Sequence, residues 1–175
     1  MITATTSDEQ LMRDFQQGSR EAFADLFCRY RDPIFGFFRR RLYEVARAEE
    51  LAQEAFLAVL KGVTRYEPRA TFRTYLFGIA FNLLAAEHRK PITLNVTVQD
   101  APALGASVET EMWVRQALEK LDGRDREILL LREYEQFSYA EIADLVKVPV
   151  NTVRSRLFRA RMALKELLVP QQGLS

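Results

Sequence analysis

Apolar residues recur every three or four positions through most of residues 7–90, which is the spacing of amphipathic α-helices. Ser7-Asp8-Glu9-Gln10 has the spacing of a capping box and predicts the start of the first helix. The pattern is interrupted at Gln17-Gly18-Ser19 and then resumes. The first stripe consists of Leu11, Phe15, Phe23, Leu26, Phe27 and Tyr30. Ten of the twelve phenylalanines lie in this block, so we expect a helical bundle with a substantial core.

Further helices are predicted in the same block. Asp32-Pro33 suits a helix start, because a proline in the first turn loses no hydrogen bond. The periodicity predicts a third helix at about residues 48–63 and a fourth at about 71–89. The fourth is apolar all round, and a helix of that kind is usually central in a bundle.

The third predicted helix has an unusual polar face. Its core side is predicted to consist of Leu51, Ala52, Ala55, Phe56, Val59 and Leu60. The opposite side carries Glu50, Gln53, Glu54 and Lys61, with Leu57 in the middle of them. An apolar residue framed by acids and an amide is either a docking patch for a basic helical partner or a harmless exposed leucine. The sequence alone leaves both interpretations open.

A mixed aromatic and basic segment precedes the fourth helix. Residues 65–71 contain Arg65, Tyr66 and Arg69, and Arg73 and Tyr75 follow them. Aromatic rings beside cationic groups are what single-stranded bases stack on. Most apolar residues of the helix itself must nevertheless belong to the core.

The helical pattern is lost between residues 91 and 108, a stretch without Lys or Arg that we interpret as a partly extended linker. Helical periodicity returns after it. The sequence therefore predicts an all-α fold of two small helical domains, residues 7–90 and 109–170, joined by a flexible linker at 91–108.

The end of the chain has the pattern of a helix-turn-helix. Ser138-Tyr139-Ala140-Glu141 is a second capping box that opens a short helix. Pro149 cannot continue that helix, and Asn151 is expected to cap a longer one that reaches about Leu168. A short helix, a tight turn and a longer helix place the second helix in a DNA major groove.

The two faces of this last helix differ in chemistry. One face is apolar and consists of Val153, Leu157, Ala160, Leu164, Leu167 and Leu168. The other displays Arg154, Ser155, Phe158, Arg159, Met162 and Lys165. Phe158 on that side is explained if it meets thymine methyl groups while Arg154 and Arg159 reach guanine edges or phosphates. The alternative is an ordinary surface helix with one stray phenylalanine.

Charge is distributed unevenly along the chain. The 175 residues contain 25 Lys plus Arg and 24 Asp plus Glu, a net charge of +1 that by itself argues against a nucleic-acid-binding protein. Residues 151–169, however, carry five basic side chains and one acidic, whereas residues 109–150 carry six basic and ten acidic. The positive end of the second domain therefore coincides with the predicted recognition helix.

Composition excludes several classes of protein. Cys28 is the only cysteine and is expected to be buried, and His88 is the only histidine and is expected at the surface. No phosphate-binding loop, dinucleotide fingerprint or His/Cys metal set occurs, so we expect no enzyme, no cofactor and no metal site. Glu49, Glu50 and Glu54 come nearest to the carboxylate cluster of a metal-dependent nuclease. Without a membrane-spanning run or a signal peptide, the protein is expected to be cytoplasmic.

Three segments together resemble one family. They are Glu49–Phe56, Phe72–Asn82, and Leu131–Arg156 with Phe137–Ala143 inside it. In their order and spacing, with the linker between them, they are similar to the extracytoplasmic function group of the sigma-70 family, the specificity subunits of bacterial RNA polymerase. The resemblance covers about Asp8 to Leu168.

The resemblance implies roles for the features above. The residues implied to dock on the clamp helices of the polymerase β′ subunit are Glu50, Gln53 and Glu54, with Leu57 beside them. The residues implied to capture an unstacked base of the minus-ten element are Tyr66, Arg69, Thr71, Arg73, Tyr75 and Asn82. Reading of the minus-thirty-five duplex falls to Arg154, Ser155, Phe158 and Arg159. The resemblance also implies contact with the polymerase β flap and control by an anti-sigma factor.

The chain departs from the family pattern at several positions. Tyr75 stands where the family often has Trp, and Gly78 where it has a polar residue. Pro68-Arg69 stands where the family more usually has a glycine together with an acidic or polar residue. The minus-ten base preference is therefore the least transferable of these implications. Asn151 replaces a commoner glycine.

A second function fits the residues alone. A transcription regulator would bind duplex operators through the helix-turn-helix while its N-terminal bundle dimerised or sensed a ligand. Promoter-specific initiation with core polymerase alone separates a sigma factor from such a regulator. Neither function requires membrane insertion or a small-molecule substrate, and the near-neutral charge predicts weak binding of free protein to duplex DNA.

Overall fold

The computed structural model describes residues 6–90 and 106–169, with side chains from residue 108 onward in the second range. These residues are helical and contain no strand. They form two compact units, one within each range. The first unit contains α1 (Asp8–Gln16), α2 (Arg20–Arg39), α3 (Val45–Gly62), a 3-10 turn (Val63–Arg65) and α4 (Phe72–His88). The second contains α5 (Ala106–Glu119), α6 (Gly123–Glu133), α7 (Tyr139–Val146) and α8 (Val150–Leu168).

Side-chain caps define the first helix boundaries. The hydroxyl of Ser7 accepts a hydrogen bond from the amide of Gln10, and that of Ser19 accepts one from the amide of Ala22. Gly18 joins the two helices with φ at +102°, a conformation that glycine adopts without steric cost. The predicted start of α1 and the interruption after it are confirmed.

The core of the first unit is aromatic, as predicted. Its fully buried side chains include Leu26, Ile34, Phe37, Phe38, Leu51, Phe72, Leu76 and Phe77. Phe37 contacts Phe38 and Phe77 edge to face, with ring centroids 5.2 and 5.7 Å apart. Edge-to-face pairs add to the stabilisation that burial provides. The core therefore fixes α4 against α2.

The helix start expected at Asp32-Pro33 is wrong. Pro33 lies inside α2, which continues unbroken from Arg20 to Arg39. Proline removes one backbone donor from the helix, but Pro33 is exposed. Buried Tyr30 and Ile34 continue the apolar stripe across it, and their packing keeps the helix intact.

Three residues expected in the core lie at the surface. Cys28 is exposed, so the prediction of a buried thiol is wrong. Phe27 and Leu60 are also exposed, by 39% and 38%. Each stands at the edge of a helical stripe, where periodicity does not tell a core position from a boundary position. His88 is exposed, as expected.

The second unit contains the predicted helix-turn-helix. Ser138 and Glu141 form both hydrogen bonds of the capping box at the start of α7. Lys147 ends that helix in the left-handed conformation. Val153, Leu157 and Ala160 are buried and Leu164, Leu167 and Leu168 half-buried, which confirms the apolar face of α8.

Two details of the second unit differ from expectation. Pro149, not Asn151, is the N-cap of α8, and no side chain caps this helix. The fixed φ of proline suits that position, and Asn151 lies within the first turn. Helix α5 begins at Ala106, so the last three residues of the predicted linker are helical. The rest of that linker, residues 91–105, lies outside the described residues. No described helix is long and apolar enough to cross a membrane.

Candidate nucleic-acid and protein interfaces

The outward face of α3 carries the four residues expected to dock on polymerase. Glu50, Gln53 and Leu57 are exposed and Glu54 is half-buried, with Leu57 at 49%. Helical spacing brings them onto one continuous surface. Leu57 is therefore an accessible apolar residue beside the polar groups, as predicted, and the exposed Leu60 lies one turn further along α3.

The sequence did not identify a cation that belongs to this face. Nη1 of Arg47 lies 2.7 Å from Oε2 of Glu50 and 3.4 Å from Oε1 of Glu54. The same guanidinium donates to both carboxylate oxygens of Glu87 on α4. These hydrogen bonds lower the pKa of Glu87 to about 2 and raise the pKa of Arg47. The helical spacing of Arg47 and Glu50 was visible in the sequence, but the contact with Glu87 was not.

A groove between α2 and α3 adjoins this surface. It encloses about 250 Å³ and is lined by Phe27, Arg31, Asp32, Phe35, Glu49, Ala52, Gln53 and Phe56. The rings of Phe27 and Phe56 meet edge to face at 4.8 Å, which forms an apolar floor. Gln53 belongs to both features, so the polar face of α3 continues into an apolar groove.

Glu49, Glu50 and Glu54 do not form a metal-binding cluster, and the described residues contain no such cluster.

A larger groove lies beside the segment that precedes α4. It encloses about 670 Å³, and its lining includes Lys61, Arg65, Tyr66, Glu67, Arg69, Tyr75 and Ile79. Tyr66 is only 6% exposed and packs against Tyr75 with ring centroids 4.9 Å apart. Burial raises the pKa of both hydroxyls. The ring of Tyr66 is thus not open for base stacking, which corrects the simplest form of the sequence prediction.

The hydroxyl of Tyr66 is unusual. It is the one buried side-chain polar atom among the described residues that has no hydrogen-bond partner. A buried hydroxyl without a partner is destabilising by about 1–3 kcal/mol, and such groups in folded proteins are rare. Gly62 also lines the groove, and a Cβ added to it would lie 2.9 Å from the hydroxyl of Tyr75. A side chain at position 62 would therefore shift the hydroxyl end of Tyr75.

Other predicted minus-ten residues take different positions. Thr71 is the N-cap of α4 and accepts a hydrogen bond from the amide of Thr74. Arg69 is paired with Glu67 at 2.6 Å, and the guanidinium of Arg73 lies over the ring of Phe77. These groups do not converge at one point.

Asn82 is exposed on α4, seven residues after Tyr75. The spacing places it on the same helix face as Tyr75 and Ile79, which line the groove.

Helix α1 braces this segment. Nε2 of Gln16 donates to the carbonyl oxygens of Val63 and Tyr66, both at 2.9 Å. Oε1 of Glu9 accepts a hydrogen bond from the amide of Phe72, at the N-terminus of α4. A carboxylate at that position also interacts favourably with the helix dipole. Both contacts span 47 or more residues of sequence, so helical periodicity gave no sign of them.

The four predicted minus-thirty-five residues are exposed on α8. They are Arg154, Ser155, Phe158 and Arg159. Phe158 is 65% exposed although it is a large apolar side chain. The hydroxyl of Ser155 donates to the carbonyl oxygen of Thr152. Arg159 is paired with Asp125 of α6, a contact that the sequence did not indicate.

The second unit also has an apolar groove on another side. It encloses about 400 Å³ between α5, α6 and α8. Its lining consists of Val114, Leu118, Leu129, Glu133, Tyr134, Arg161, Leu164, Lys165 and Leu168. An ion pair between Arg161 and Glu133 stands among these residues. The groove has the mixed character of a docking site for an amphipathic helix.

Comparison with known proteins decides between the two functions. The family model described as sigma-70 region 2 matches residues 26–90, and that of sigma-70 region 4 matches residues 111–164. The RNA polymerase sigma-H factor of Pseudomonas aeruginosa is 34% identical over 182 residues, covering 93% of this chain and 94% of its own. The chain belongs to the sigma-70 family. The alternative of a separate operator-binding regulator receives no support.

More specific similarity places this sigma factor in the extracytoplasmic function group. The ECF RNA polymerase sigma-E factor of Escherichia coli K12 is 30% identical over 183 residues, covering 94% of this chain and 95% of its own. A solved structure of CnrH in complex with the cytosolic domain of CnrY has the same fold, with a TM-score of 0.76. The two are 24% identical and cover 93% of this chain and 97% of the other. Helix α1 of this sigma factor precedes the part that the region 2 model matches.

Proposed function

We propose that this sigma factor binds core polymerase through α3, reads the minus-thirty-five duplex with α8 and captures an unstacked minus-ten base beside Tyr66. The observation that carries the proposal is the groove with a basic rim whose lining includes Tyr66, a residue whose buried hydroxyl has no hydrogen-bond partner among the described residues. Residues 7–90 would thus dock on polymerase and open the promoter, and residues 109–170 would select it.

Polymerase docking fits the outward face of α3. Leu57 would enter an apolar site on a helical partner, with Glu50 and Glu54 opposite its basic residues. The groove that contains Phe27 and Phe35 extends this surface toward α2. An apolar centre within a polar rim is the usual arrangement of a protein interface. The β′ clamp helices are the proposed partner.

Base capture fits the groove beside Tyr66. Lys61, Arg65 and Arg69 line it and would attract the backbone phosphates of a melted strand. Insertion of a base would open the packing of Tyr66 against Tyr75, and the hydroxyl of Tyr66 would then gain its missing hydrogen bond from the edge of that base. Asn82 on the same helix face would contact the strand. Unstacking a base requires a few kcal/mol, so a preformed pocket shifts the opening equilibrium without a chemical step.

Duplex reading fits α8. Arg154 and Arg159 project from its exposed face, and Phe158 would contact thymine methyl groups. Region 4 would then specify the minus-thirty-five sequence, while its near-neutral total charge leaves most of the affinity to the polymerase complex.

Two protein partners are proposed for the remaining surfaces. The apolar groove between α5, α6 and α8 would receive a helix of the polymerase β flap. We also propose control by an anti-sigma factor. A solved structure with 22% identity and a TM-score of 0.69 contains the sigma factor RpoE with the anti-sigma factor NepR from Bartonella quintana. We propose no catalytic role for this chain, since initiation by this route needs none.

Multi-round transcription with the purified chain and core polymerase tests the proposal. Promoters are chosen from transcripts that rise when the chain is overexpressed. The expected result is initiation at those start sites with no other sigma factor present. Tight binding to duplex DNA without initiation would instead indicate an operator-binding regulator.

A further inference from the structure

The side chain of Arg159 is held by a carboxylate from another helix. Nε and Nη2 of Arg159 lie 3.2 and 3.0 Å from the two carboxylate oxygens of Asp125. Asp125 stands in the first turn of α6, 34 residues earlier in the chain. Its side chain is 11% exposed, whereas that of Arg159 is 64% exposed. The pair therefore joins a buried anchor to a guanidinium on the outward face of α8.

The geometry leaves one edge of the guanidinium available. A guanidinium carries five N–H groups in a rigid plane. Asp125 occupies the edge formed by Nε and Nη2. The opposite end, formed by Nη1 and the second N–H of Nη2, meets no hydrogen-bond acceptor among the described residues. Two parallel N–H groups at that end match the O6 and N7 acceptors of guanine.

We infer that Asp125 is a positioning residue for promoter specificity. By fixing the plane of the Arg159 guanidinium, it makes that side chain a reader of a guanine base in the minus-thirty-five element rather than a mobile phosphate contact. Its negative charge also offsets that of Arg159, which weakens attraction to phosphates of any sequence. The inference rests on the proposed role of α8 in reading the duplex.

A second ion pair between the same two helices provides a matched control. Arg161 of α8 contacts Glu133 of α6, and both side chains are about half exposed. Nε and Nη2 of Arg161 meet a single carboxylate oxygen, Oε1 of Glu133. Glu133→Gln removes the same charge from α6 as Asp125→Asn does, but leaves the plane of Arg159 fixed.

The test uses holoenzyme assembled from the full chain and core polymerase. Open-complex formation is measured on a parent promoter and on variants with each minus-thirty-five base pair changed in turn. Asp125→Asn is expected to lower discrimination at one G·C pair by about five-fold or more, since a bidentate arginine contact contributes that much or more to specificity. It is also expected to make binding to the altered promoter more salt-dependent, by about one phosphate contact. Glu133 lines the groove proposed for the β flap, so any loss that Glu133→Gln causes should be the same on every promoter and should leave the discrimination ratio unchanged.

A double variant separates positioning from folding. If Asp125 acts through Arg159, Asp125→Asn has no further effect on discrimination in an Arg159→Ala background. The inference would be overturned if Asp125→Asn changed discrimination equally with and without Arg159→Ala, or if Asp125→Asn alone left discrimination unchanged. A merely destabilised protein would lose activity on all promoters alike. If Arg159→Ala itself leaves discrimination intact at every base pair, the proposed base-reading role of Arg159 fails, and the positioning role with it.

Discussion

The guanidinium of Arg47 donates hydrogen bonds to both carboxylate oxygens of Glu87, at 2.9 and 2.7 Å, and so joins the start of α3 to the end of α4. Hydrogen bonds from Arg47 and then Lys90 lower the pKa of Glu87 from its ordinary 4.5 to about 2. Because the folded state has the lower pKa, the pair stabilises the first unit fully above the unfolded pKa. That stabilisation is lost as the pH falls from about 4.5 toward 2.

Glu87→Gln is expected to lower the free energy of unfolding at neutral pH by roughly 2–3 kcal/mol, since a pKa unit corresponds to about 1.4 kcal/mol. Urea unfolding followed by circular dichroism over a pH series measures it. The variant should show a shallower loss of stability in acid than the parent. Glu67→Gln, which breaks the exposed ion pair with Arg69, should change the loss of stability at low pH much less. If the free energy of unfolding fell equally steeply in acid for Glu87→Gln and the parent, the stabilising role of the Arg47–Glu87 pair would be contradicted.

Charge reversal at Glu54 tests the docking face. Glu54→Lys places a cation one turn from Leu57, opposite the basic partner that we propose, and should weaken core binding about ten-fold or more. Fluorescence anisotropy of labelled chain titrated with core polymerase measures the affinity. The loss should diminish as salt is raised, because the interaction is partly screened.

Asp25→Lys is the control for Glu54→Lys. Asp25 is exposed on α2, at helical spacing away from the groove residues Phe27 and Arg31. Asp25→Lys reverses a carboxylate charge in the first unit, as Glu54→Lys does, but at a position outside the proposed docking face. Equal weakening by the two variants would point to net charge rather than to a docking contact.

Helix positions were predictable because burial repeats with the helical period. Val153, Leu157 and Ala160 of α8 were assigned to the core from spacing alone, and all three are buried. The same reasoning failed at Pro33, where packing of the apolar stripe outweighs the loss of one backbone hydrogen bond. It also failed at Cys28, whose position at the edge of a stripe is ambiguous in one dimension.

Long-range polar contacts were not predictable from one sequence. The side chain of Gln16 donates a hydrogen bond to the carbonyl oxygen of Tyr66, 50 positions later. Arg159 donates one to the carboxylate of Asp125, 34 positions earlier. No periodicity links such partners, because each depends on how two helices pack. The exposure of Phe158 was predictable, since its neighbours on the same face are charged or polar except for Met162.

Phe158→Ala tests contact with thymine methyl groups. Phe158 is 65% exposed, so the free energy of unfolding should change by less than about 0.5 kcal/mol. Open-complex formation should fall several-fold, because an aromatic contact with a methyl group contributes about 1 kcal/mol. Replacing thymine by deoxyuridine in the minus-thirty-five element should cause a similar loss with the parent and no further loss with the variant. Additive losses would mean that Phe158 does not contact the methyl group.

Tyr66→Phe removes the hydroxyl that has no hydrogen-bond partner among the described residues. Stability should therefore be unchanged or higher by about 1 kcal/mol, because a buried hydroxyl loses its hydration without compensation. Chemical denaturation of the full chain measures this. Binding to a premelted promoter should nevertheless weaken about five-fold, the equivalent of one hydrogen bond.

The captured base itself provides the decisive control for Tyr66→Phe. On a premelted template with an abasic site at each minus-ten position in turn, the difference between Tyr66 and Phe should disappear at the captured position alone. The hydroxyl has no hydrogen-bond partner among the described residues, and in our proposal the base edge supplies one. A difference that persists on every abasic template would show that the hydroxyl acts on the groove and not on a base.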